Sequence, residues 1–156
     1  MTRLGIVLSA SLGLASTFAP APLAAQDAVG VTGAAVATLP DGATFNGVPL
    51  KGLTLGQGLF IGQDGSARGQ FQAVLQGTSL LGSPRDIIVE GEVSSGSAGD
   101  GTATFSGTAT VNMGDGTVPL TGVPFTVTAS AGSLGLTLNT TALPTATVTA
   151  GSITIE

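Results

Sequence analysis

Residues 102–113 alternate without exception. Ala103, Phe105, Gly107, Ala109, Val111 and Met113 occupy one parity, and Thr102, Thr104, Ser106, Thr108, Thr110 and Asn112 occupy the other. Successive side chains on a strand point to opposite faces, so this run makes one apolar and one polar face. The same period of two runs through residues 70–73, with Leu75 and Gln76 continuing it, and through 125–129 and 134–139. There is almost no helical signal. Near the end of the chain Thr145, Thr147 and Thr149 share one parity while Ser152, Thr154 and Glu156 share the other. A bulge at Gly151 would absorb that slip.

Turn signals separate these runs. Asp41-Gly42, Asn46-Gly47, Asp64-Gly65, Asp100-Gly101 and Asp115-Gly116 each place a residue that tolerates positive φ before a glycine, the preferred chemistry of tight hairpins. Together the two patterns predict strands over 29–38, 43–50, 53–62, 67–77, 86–94, 102–112, 118–129, 133–139 and 145–155. Short hairpins join antiparallel neighbours. The expected fold is therefore all-β, an antiparallel meander forming a β-sandwich or a partly open β-barrel of roughly eight to nine strands. Pro119 and Pro124 cannot donate to a ladder, so their strand is expected to be an edge or to break near Gly122. Residues 48–55 and 118–125 echo one another, which we read as one convenient turn used twice rather than as a duplication.

The first stretch differs. Arg3 precedes an apolar run from Leu4 to Ala15, and a Pro-containing segment then ends in the small residues Ala24 and Ala25. This reads as a secretory signal peptide over residues 1–25 with cleavage after Ala25, too short in its apolar part to span a membrane. Residues 26–156 then form a single all-β domain, expected to be periplasmic or secreted. No Cys stands at the cut to carry a lipid anchor, and the sortase-like start at Leu143-Pro144-Thr145 fails at its later positions.

Composition narrows the chemistry. The 156 residues include 25 Gly but no His, Cys, Trp or Tyr. That removes imidazole bases, thiolate nucleophiles, tetrahedral zinc sites and disulfides, and it leaves no aromatic platform of Trp or Tyr for stacking sugars. Beyond residue 25 the cations are Lys51, Arg68 and Arg85 against nine carboxylates, a net charge of −6. So few scattered cations argue against nucleic acid and against anionic lipid.

The remaining candidates are sparse. Asp100-Gly101-Thr102 and Asp115-Gly116-Thr117 hold the letters of the aspartic-protease loop in the wrong order and read as turns. No Ser-x-x-Lys or Gly-x-Ser-x-Gly spacing supports a serine nucleophile, and Gly56-Gln57-Gly58 lacks the Lys and helix start of a phosphate cradle. Asp86, Glu90 and Glu92 share one strand face opposite Ile87, Val89 and Val93, and we read them as solvated charges guarding a strand edge rather than as a calcium or acid–base site. Thr-x-Thr rows at 102–112, 126–128 and 145–149 are similar in spacing to the flat faces of ice-binding and some polysaccharide-binding proteins. Thr is equally a preferred strand residue, and we read the rows as such.

These observations predict no catalytic, cofactor or metal residues. The expected role is that of an exported, non-enzymatic β-domain, structural or interacting with an extracellular or envelope partner, without nucleic acid and without a membrane span. The alternative is a small apolar-ligand carrier with a lipocalin-like barrel, its interior lined by Ala, Val, Leu and Phe. An outer-membrane barrel ranks third, because the chain has no aromatic girdles.

Overall fold

A computed structural model describes residues 28–156, so the expected leader at residues 1–25 lies outside the described residues. Ten strands follow one another: β1 (Val29–Thr38), β2 (Thr44–Phe45), β3 (Val48–Ile61), β4 (Ser66–Thr78), β5 (Pro84–Gly99), β6 (Thr102–Asn112), β7 (Leu120–Ser130), β8 (Ser133–Leu138), β9 (Thr141–Ala142) and β10 (Ala146–Ile155). Every pairing is antiparallel. β3 to β8 form a meander, and β1 bonds both β10 and β3, which closes eight strands into a ring with β2 and β9 attached to β3 and β8. Of the two expected architectures, the partly open barrel is the one adopted. Its closure is uneven, because β8 and β10 meet only at Ala146↔Leu134 and Thr147↔Ser133.

Alternation decides what fills the ring. Ala103, Phe105, Ala109 and Val111 of β6 are buried, as are Phe125, Val127 and Ala129 of β7 and Leu134, Leu136 and Leu138 of β8. At the centre Phe71, Phe105 and Phe125 pack with ring centroids 5.6–6.5 Å apart, Phe71 and Phe125 stacked and Phe105 edge-on to both. Gly91 and Gly107 complete this contact, since a Cβ at either would run into the Phe125 ring. Phe45 is buried as well, whereas Phe60 faces outward and is 64 % exposed.

The turns follow the Asp-Gly and Asn-Gly signals, with positive φ at Gly42, Gly47, Gly65, Gly101 and Gly116. Two strand expectations are corrected. Residues 43–50 are not one strand, because Asn46 and Gly47 both take positive φ and turn β2 back on β3. The break expected between 50 and 53 is a bulge instead, where Leu50 pairs Gly77 and Gly52 pairs Gln76, leaving Lys51 as the extra residue within a continuous β3. The echo at 118–125 carries a comparable bulge, since Leu120 pairs Val111 and Val123 pairs Ala109 around Gly122 at φ 67°.

The proline expectation fits this picture. β7 starts after Pro119, and its residues 120–124 pair with β6 while β8 joins β7 only from Phe125 onward. Pro124 needs no ladder donor there, and its carbonyl accepts the Asn139 N–H at 2.7 Å. The bulge expected at Gly151 falls two residues earlier: Val36 pairs Ala150 and Ala37 pairs Val148, which leaves Thr149 as the extra residue, while Gly151 itself pairs Ala35 at φ 82°. Inward parity accordingly moves from Ala146 and Val148 to Ile153 and Ile155.

Candidate functional site

A concavity of about 590 Å³ lies on the outside of the ring, across β3, β4, β5 and β6. Strand register builds it. One transverse row runs Gly56↔Gln72↔Glu90↔Thr110 and the next runs Gly58↔Gln70↔Glu92↔Thr108. Neighbouring strands are about 4.8 Å apart and row mates lie two residues apart along each strand, so the six polar side chains form a compact patch. Gly56 and Gly58 border it at one side, and Gly122 of β7 lies at the other.

Small inward residues explain why a barrel wall is dished outward-in at this level. Gly91 and Ala109 stand directly beneath Glu90, Glu92, Thr108 and Thr110, and Phe125 packs against the bare backbone of Gly91 and Gly107. The wall of β5 and β6 therefore approaches the central rings closely, and its outer surface recedes. The groove keeps its floor clear because nothing lies within 4 Å of where a Cβ at Gly56 or Gly58 would sit.

The lining is polar in both hydrogen-bonding senses. The Gln72 amide donates to Glu90 Oε1 at 3.0 Å, which orients both side chains along the floor. Gln70, Thr108 and Thr110 add groups that both donate and accept. No Lys or Arg lines the groove, and among the described residues the one ion pair is Arg85–Asp115 at 2.6 Å, between the start of β5 and the β6–β7 connection.

Each expected candidate can now be placed. Asp86, Glu90 and Glu92 do share the outer face of β5, opposite buried Ile87, Val89 and Val93. The structure joins only Glu90 and Glu92 to the groove, while Asp86 lies farther along opposite Gln76. Their expected role as edge guards is corrected, because β5 pairs with β4 on one side and β6 on the other and has no free edge. Among the described residues no group of three or more His, Cys, Asp or Glu could hold a metal ion.

The Thr rows of β6 and β7 stand in register on the outer face. Thr104 pairs with Thr128, their hydroxyls 3.3 Å apart, and the Thr126 hydroxyl donates to that of Ser106 at 3.4 Å. The row at 145–149 does not extend this array, since Thr147 pairs with Ser133 of β8 and Thr38 of β1 and the Thr149 hydroxyl donates to the Val36 carbonyl. Asp115 is a turn residue, as read. Its carboxylate accepts the Thr117 hydroxyl and N–H, and Asp64 does the same with Ser66. These hydrogen bonds hold both carboxyls below the ordinary value of 3.8, with Arg85 adding to the effect at Asp115.

Sequence reasoning missed Gln70 and Gln72, which alternation assigned to a polar face without indicating their carboxylate neighbours. It also missed Gln57. Parity with Leu55 and Leu59 turns its side chain inward, where it is 92 % buried, and neither amide atom has a hydrogen-bond partner in the protein. A second concavity of about 400 Å³ opens where β7 has parted from β8, with Val111, Leu120, Val123 and Leu138 beside Asn46 and Asn139.

Comparison with protein-family models, curated proteins and solved structures returns no match. The functional reading therefore rests on the chemistry of the molecule itself.

Proposed function

We propose that the chain is an exported, non-enzymatic β-barrel module that acts through its outer surface, in a structural or interaction role at or outside the cell envelope. The observation that carries this reading is the contrast between inside and outside. Three phenylalanine rings in mutual contact occupy the centre, and the broad polar concavity lies on the outer wall. An outward face of Gln, Glu and Thr is also the reverse of the apolar band that a lipid-embedded barrel requires. Among the described residues no helix is long and apolar enough to cross a membrane. The leader-like pattern of residues 1–25 supports export.

One observation favours the carrier as a second reading: the unpartnered amide of Gln57 is the kind of polar anchor that an interior ligand uses. Two measurements on one preparation separate the readings. Protein purified from residue 26 onward is incubated with isolated cell envelopes and, separately, titrated with a solvatochromic apolar probe. The outer-surface reading expects saturable retention on envelopes without stoichiometric probe uptake. Stoichiometric uptake without retention overturns it in favour of the carrier.

A further inference from the structure

The outer groove has a chemistry more specific than a general interaction surface. Resting on the outer-surface reading, we infer that it binds an uncharged, polyhydroxylated ligand, a neutral glycan laid across β3 to β6. Gln70 and Gln72 present amides, Thr108 and Thr110 present hydroxyls, and Glu90 and Glu92 present acceptors, all on in-register rows of one concave wall. Sugar hydroxyls both donate and accept, so every one of these groups finds a partner on such a ligand.

Competing chemistries fit less well. Two carboxylates with no Lys or Arg in the lining disfavour anionic ligands such as phosphates or acidic polysaccharides. An ammonium or guanidinium group only donates, so a small organic cation would meet Glu90 and Glu92 but give the Gln70 amide N–H no acceptor. One oxygen of Glu90 is already engaged by the Gln72 amide, which places a donor and an acceptor side by side in the groove. The two rows themselves carry no apolar side chain, and the apolar groups of the outer face, Ile88 beyond Glu90 and Phe60 beyond Gly58, stand in the rows on either side of them. The volume, about 590 Å³, suits a short oligosaccharide segment. Beyond the groove the hydroxyl rows of β6 and β7 continue the same surface, at Ser106 beside Thr126 and Thr104 beside Thr128, so a longer polymer can run on without meeting a charge.

Gly58 supplies the test. Its backbone is extended, and the space above its Cα is open, so Gly58→Trp fills the groove without disturbing the core. The purified protein and this variant are applied to an array carrying neutral and acidic saccharides, with hexalysine as a cationic probe in solution. The expected result is binding to at least one neutral glycan and to no acidic one, weakened at least about tenfold by Gly58→Trp and by Glu92→Gln while the melting curves of both variants match the parent. The inference is overturned if no neutral glycan is retained, if both variants bind as the parent does, or if hexalysine is the ligand that Gly58→Trp expels. Should Gly58→Trp melt early, Gly56→Trp and Glu92→Gln carry the same comparison. Envelope retention that persists while every neutral glycan fails leaves the outer-surface reading standing and removes only this assignment.

Discussion

Adjacent residues of β3 have opposite fates. Gln57 turns its unpartnered amide into the ring between Leu55 and Leu59, and Gly58 leaves its outer side bare. A buried amide without partners costs about 1–3 kcal/mol, so Gln57→Leu is expected to raise stability by an amount of that order, read as a higher urea midpoint. Phe105→Ala, by contrast, removes a ring that is fully buried among Phe71 and Phe125 and is expected to cost about 3–5 kcal/mol, against a Thr104→Ser change within about 0.5. Asp64 and Asp115 set a pH dependence. Both carboxyls are held below 3.8 in the folded chain by their Ser66 and Thr117 hydrogen bonds. The stability they contribute is therefore fully present above the unfolded value and is lost as pH falls below it. Thermal melts from about pH 6 down to about pH 2 should show an acid-side loss that is smaller in Asp64→Asn and Asp115→Asn.

At the scale of the elements, bulges place the strands. Gly151 at φ 82° lies against the Ala34 carbonyl, and Gly151→Ala both strains the backbone and collides with that oxygen. The expected loss exceeds about 1 kcal/mol, measured by denaturant melts. β5 makes a contrasting prediction. Its charges guard no edge, so Glu90→Gln with Glu92→Gln should leave the melting temperature nearly unchanged and should not promote aggregation after a heat cycle, which light scattering would detect. Individual strands such as β6 were legible because an apolar face and a polar face alternate along one segment. The parity slip near the end of the chain, though not its position at Thr149, and the weak pairing at Pro124 were legible for the same reason, since each disturbs a local pattern. The run from Val48 to Ile61 was not, because Lys51-Gly52 resembles a turn until the pairing with β4 shows it to be a bulge.

At the scale of the whole molecule, closure and the groove are properties of register. Nothing within residues 67–77 or 86–94 alone reveals that Gln70 stands beside Glu92 and Gln72 beside Glu90; that depends on where the bulges at Lys51 and near Gly69 shift one strand against another. Sandwich and barrel likewise share one strand pattern, and only the return of β1 to both β10 and β3 decides between them. Filled within and polar without, the ring turns Gln57 and Gly58 into a matched pair of probes for which side does the work. The decisive measurement is envelope retention of the parent, Gln57→Leu and Gly58→Trp side by side. The account predicts that Gln57→Leu is retained as the parent is and that Gly58→Trp is released. Retention of Gly58→Trp together with loss of Gln57→Leu would place the function inside the barrel and contradict it.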